Sequence, residues 1–85
     1  MSIKIKLPDW FNGELYEKGA VVKNRFTNEK FELNNIELSM YDFIMGMSIL
    51  IESGYNLNEK LLTQHHEGLI WFRKNNIEAY MVLLD

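Results

Sequence analysis

The chain contains no cysteine, a single proline and no long uninterrupted hydrophobic run. Without thiols there is neither a disulfide framework nor a thiolate metal site, which fits a reducing compartment. The longest near-apolar stretch, residues 43–51, has nine residues, far short of the roughly 20 needed to cross a bilayer. Residues 1–7 alternate Ile3, Ile5 and Leu7 with Lys4 and Lys6, so they lack the apolar centre of a signal peptide. The expectation is a soluble protein of cytoplasmic type.

Charge of one sign is also scarce. The net charge is −3, divided unevenly: residues 1–33 hold six of the nine Lys and Arg against five acids, and residues 34–85 hold three against seven. No basic stripe emerges, which argues against general phosphate neutralisation and hence against nucleic-acid binding. The acidic excess is too mild for a nucleic-acid mimic. Gly13, Gly19, Gly46, Gly54 and Gly68 are dispersed, so no phosphate-cradling loop is present.

Apolar side chains, by contrast, are plentiful: 47% of the 85 residues are hydrophobic and 13% aromatic. A domain of this size buries only about two thirds of its unfolded surface. Its apolar complement can build a core unaided and exceeds what that core hides, so self-association or a partner is expected. The length allows one domain, residues 1–85, with no room for a catalytic domain plus a lid.

Two kinds of periodicity divide that domain. In residues 1–33 the pattern is β-like. "IKIKL" (3–7) alternates and stops at Pro8, which reads as a short edge strand. "DWFNGELYEKG" (9–19) is turn-rich and anchored by Trp10, Phe11 and Tyr16. "AVVKNRFTNEKFEL" (20–33) reads as a hairpin, with a first arm over 21–26, a turn over 27–30 and a return over 31–33; Asn28 suits a left-handed turn position.

Residues 34–85 are helical in pattern. Asn34 and Glu37 have capping-box spacing, with Leu33 and Leu38 placed as a hydrophobic staple, so a first helix is expected over 35–53 with Gly54 as its stop. At about 100° per residue, Ile36, Met40, Phe43, Ile44, Met47, Leu50 and Ile51 form one broad apolar face. Leu38, Tyr41, Met45 and Ile49 form a second stripe roughly opposite. Such a helix is either sandwiched within its own fold or carries an interface on that stripe. A second helix covers 57–76, with Asn58 as N-cap; Leu61, Leu62, Leu69 and Phe72 share a face, while Ile70 and Trp71 point elsewhere. Ile77, Tyr80, Met81 and Leu84 space out a short third helix over 76–85.

"LTQHHEGLIWF" (62–72) holds the only two histidines. A helix chelates metal through residues three or four apart, since these share a face. From His65 and His66 those positions are leucine, isoleucine, threonine and glycine, and the two rings diverge by about 100°. The expected arrangement is therefore His65 partly buried and hydrogen-bonded, with His66 solvated. Ser39, Ser48 and Ser53 have no strand-to-helix elbow and no evident base. Trp10, Phe11 and Trp71 could stack nucleobases, but no arginines interleave them. Gly46 and Gly68 are either a close helix crossing or ordinary helix glycines.

Several strings together carry a resemblance: "LPDWFNGELYEKG" (7–19), "VVKNRFTNEKFEL" (21–33), "LSMYDFIMG" (38–46), "WFRKNN" (71–76) and "EAYMVLLD" (78–85). The chain resembles a family of short uncharacterised proteins encoded by marine bacteriophages, those of cyanobacteria and of abundant ocean bacteria. Members often have a proline and a glycine in the hairpin where this chain has Arg25 and Asn28. The resemblance implies a phage origin. It implies no activity and no catalytic residue, and it does not extend to the histidine pair.

The expected fold is α+β: a small N-terminal antiparallel β element of two or three strands packed on two antiparallel helices, closed by a short C-terminal helix. The expected function is that of a non-enzymatic protein-protein interaction or assembly module in the host cytoplasm, with virion association as a variant. Its partner would be a second copy, giving a homo-oligomer, or a host or virion protein. Leu38, Tyr41, Met45, Ile49 and Trp71 are the interface candidates; no catalytic residue, cofactor, metal, nucleic acid or membrane is expected. The alternatives are a small metal-dependent or acid-base protein using His65, His66 and Glu67, and a nucleic-acid-associated modulator.

Overall fold

The computed structural model describes residues 6–84. In chain order the elements are β1 (Ala20–Lys23), β2 (Lys30–Leu33), α1 (Asn35–Glu52), α2 (Glu59–Asn75) and α3 (Ile77–Leu83). The fold is α+β, with a two-stranded antiparallel sheet and three helices. The edge strand expected over residues 3–7 falls mostly outside the described residues, and Lys6 and Leu7 are not in a strand.

The hairpin pairs Ala20 with Leu33 and Lys23 with Lys30. Its first arm ends at Lys23 rather than reaching Phe26, because the Asn24 side chain folds the backbone over. Asn24 Oδ1 accepts the amides of Phe26 and Thr27 at 2.7 and 3.2 Å, a local turn that competes with strand pairing. Asn28 takes the left-handed position expected of it, at φ 66°. Just before β1, a Cβ on Gly19 would lie 2.1 Å from the Leu33 carbonyl oxygen, so only hydrogen fits there.

Each helix start is set by an asparagine. Asn34 Oδ1 accepts the Glu37 amide at 2.8 Å while Glu37 Oε1 accepts the Asn34 amide at 2.9 Å, completing the capping box. Asn58 accepts the Leu61 amide at the start of α2, and Asn76 accepts that of Ala79 at the start of α3. α1 closes at Ser53, and Gly54 at φ 82° turns the chain away.

α1 and α2 run antiparallel. Along α1 the contacts with α2 descend in register: Tyr41 lies 6.3 Å from Phe72 between ring centroids, Ile44 meets Gly68, and Ser48 meets His65. A Cβ on Gly68 would come within 3.2 Å of Met40 Sδ, which marks the close crossing. Gly46 is exposed with nothing near it, so the crossing uses one of the two glycines.

The core consists of Leu33, Met40, Ile44, Phe72, Ala79 and Leu83, contributed by β2 and all three helices. α3 closes it by packing on both β2 and α2. The buried residues of α2, Gly68 and Phe72, lie in its second half. Leu62 belongs to the first half; expected inward, it is 46% exposed.

Polar ties hold the irregular segment before the hairpin. Buried Ser39 accepts the Tyr16 amide at 3.0 Å and donates to the Asn35 carbonyl. Trp10, Phe11 and Phe43 form an aromatic cluster with centroids 5.6–6.4 Å apart. Buried Glu37 also accepts a hydrogen bond from Asn76 Nδ2 at 3.0 Å, joining the start of α1 to the α2–α3 junction. A buried carboxylate is tolerable only with such partners.

Candidate functional site

A cleft of about 450 Å³ lies where the hairpin turn, α1, α2 and the end of α3 converge. Helical spacing aligns the α1 wall, since Tyr41, Met45, Ser48 and Glu52 recur every three or four residues. Leu69 and His65, also four apart, supply the α2 wall, and Leu83 and Leu84 supply the end of α3. The end of β1 and the hairpin turn bring Lys23, Arg25 and Phe26 to the rim.

Two links fix the turn over this cleft. Asn24, itself buried, donates from Nδ2 to the Val82 carbonyl at 2.9 Å, tying the turn to α3. Arg25 Nη2 pairs with Glu52 Oε1, tying the same turn to α1. Both of those charged side chains are well exposed, so the ion pair contributes under about 1 kcal/mol. The Arg25 guanidinium also sits 4.8 Å over the Phe26 ring, whose side chain is otherwise 80% exposed.

Inside the wall, Ser48 Oγ and His65 Nε2 are 3.0 Å apart. Burial, and then the charge of neighbouring His66, push the His65 pKa below its ordinary value of 6.5. His65 is therefore a neutral imidazole near pH 7, able to accept from or donate to the serine according to its tautomer. Burial raises the Tyr41 phenol above its ordinary 10.0, partly countered by Arg25, so it too is neutral.

This pair gives Ser48 a base that was not evident in the sequence. It does not amount to an activated nucleophile, because Ser48 lies inside α1, where neighbouring backbone amides are engaged in helical hydrogen bonds and leave no oxyanion donors. His66 and Glu67 are exposed, and Glu67 lies with Trp10, Thr63 and Gln64 around a separate shallow depression. Among the described residues, no group of three or more His, Cys, Asp or Glu is placed to hold a metal ion.

The interface candidates are divided. Leu38 and Tyr41 are half-buried and packed against the core, Met45 lines the cleft, and Ile49, one helical turn after Met45, is 50% exposed and does not line it. Trp71 also packs against the core, edge-on to Phe72, and its indole N–H donates to the Lys6 carbonyl at 2.8 Å. Sequence spacing grouped the α1 stripe but gave no sign of Phe26 or Arg25 as its neighbours, because that proximity depends on the Asn24–Val82 link.

Compared with family models, with curated proteins and with solved structures, the chain matches none of them. No helix among the described residues is long and apolar enough to cross a membrane.

Proposed function

We propose that this protein is a non-enzymatic module of phage origin that works through protein contacts in the host cytoplasm. It acts either by assembling with copies of itself or by binding a host or virion protein. The observation that carries the proposal is Phe26: a phenylalanine held 80% exposed at the rim of an apolar cleft, with Ile49 half-exposed one turn beyond Met45. Large aromatic side chains presented beside an apolar concavity are what protein interfaces use as anchors. The phage part rests only on the resemblance of the strings at 7–19, 21–33, 38–46, 71–76 and 78–85 to proteins of marine bacteriophages.

Concentration-dependent light scattering, together with a pull-down from infected or host lysate, tests the proposal. A stoichiometric complex that Phe26→Ser or Ile49→Glu abolishes is the expected result; a strict monomer that captures nothing overturns it. The acid-base alternative through His65, His66 and Glu67 has the Ser48–His65 contact as its sole support. Aryl-ester hydrolysis no faster than that of Ser48→Ala retires it.

A further inference from the structure

We propose that the cleft is a binding site for a small amphipathic carboxylate, whose apolar body lies on Met45, Leu69 and Leu84 and whose anionic head meets Arg25 and Lys23 at the mouth. This goes beyond the protein-contact proposal and does not depend on it. A protein crossing the rim would cover Phe26 and Ile49, whereas this ligand would occupy the floor.

Four observations support the assignment. The volume, about 450 Å³, falls within the range of roughly 300–1,000 Å³ that small-molecule sites occupy. The walls come from the hairpin turn and all three helices, and the Asn24–Val82 link holds the turn to α3 before any ligand arrives. A preformed site avoids much of the ordering cost of binding.

The third observation is charge. Among the described lining residues the fully charged groups are Lys23, Arg25 and Glu52, two cations against one acid, in a chain whose net charge is −3. With Arg25 paired to Glu52, the described lining carries one excess positive charge, at Lys23, which complements a single negative charge. Arg25 donates from one nitrogen to Glu52, and a guanidinium carries five N–H donors in all, so it can donate to a second carboxylate as well.

Finally, the floor is not uniformly apolar. When His65 Nε2 carries the proton it donates to Ser48 Oγ, and the hydroxyl hydrogen is then available to donate to a ligand oxygen. A polar substituent on an otherwise apolar ligand body would be recognised there.

The test titrates the full ¹⁵N-labelled chain with decanoate, decanol and decyltrimethylammonium, each below its micelle concentration. Decanoate is expected to saturate at one equivalent, with amide shifts concentrated at residues 23–26, 44–48, 65–69 and 83–84. The alcohol and the cation should bind at least about tenfold more weakly. Arg25→Gln should reduce decanoate affinity towards that of decanol, and Glu52→Gln should increase it. Met45→Trp, which fills the floor, should abolish binding. Arg25→Gln alters only an exposed side chain, so it remains informative should Met45→Trp fail to fold. Equal affinity for the three amphiphiles, shifts centred on exposed Ile70 or Ile77, or unchanged decanoate binding in Arg25→Gln would each overturn the proposal.

Discussion

The two ends of the α1–α2 pair are built from similar side chains and come to opposite outcomes. At one end, the start of α1 and the finish of α2 are covered by β2 and α3, and Leu33, Met40, Phe72 and Ala79 are almost wholly buried. Even the polar groups there are used up: Glu37 and Asn76 satisfy each other and two helix starts at once. At the other end, Ile49, Ile51, Tyr55 and Leu62 remain between 39% and 67% exposed. The difference is one of cover rather than composition. A seven-residue α3 and two four-residue strands suffice to close one end of the pair.

The largest test of this contrast lies within a single helix. Phe72→Ala removes a fully buried ring at the covered end and should cost about 3–5 kcal/mol, whereas Leu62→Ala at the open end should stay within about 0.5 kcal/mol. Urea unfolding of both variants measures the pair, and equal losses would mean that the open end is covered in solution. Next comes the link that holds the hairpin turn to α3. Asn24→Ala strands the Val82 carbonyl and the turn amides, for an expected loss of about 1–2 kcal/mol. It should also weaken whatever binds in the cleft, because the turn forms its rim.

A smaller effect is expected with pH. His65 has its pKa held below the ordinary 6.5 by burial and by His66, so the unfolded chain binds more protons than the folded one between the two values. Stability is then fully present above pH 6.5, declines as pH falls through that window and levels off below the folded pKa. Melting temperatures at pH 8 and pH 5.5 should differ in that direction, and His65→Gln should reduce the difference. The smallest change in stability is expected for Phe26→Ser, within about 0.5 kcal/mol. The same variant should nevertheless remove any association seen by light scattering.

What could be read from the sequence was what short range decides. The Asn34–Glu37 capping box, the Asn58 cap, the stop at Gly54 and the left-handed Asn28 all depend on neighbours within a few positions, and all are found. His65 half-buried with His66 exposed followed from their angular separation on the helix. The cleft was not legible. Ser48 and His65 are 17 positions apart and Asn24 and Val82 are 58 apart; both contacts follow from how elements dock, which no local period encodes. Phe26 shows why the sequence pattern overstates the first hairpin arm, which ends at Lys23. β-propensity favours it in a strand, but the side-chain hydrogen bonds of Asn24, two residues earlier, override that preference.

Asn76 has a bearing on how this chain can change over generations. It is at once the last cap of α2, the first cap of α3 and the donor to Glu37, so the two helices share one residue as their whole connection. An inserted or deleted codon there would shift Ala79 and Leu83 out of register with the core and uncouple three hydrogen bonds together. The connection at residues 53–58 carries exposed side chains at every position but Leu57, and changes of length can be absorbed there. Related genes should therefore differ in length at the turn between the long helices and keep the second junction fixed, which makes the open end the part of the molecule free to diversify.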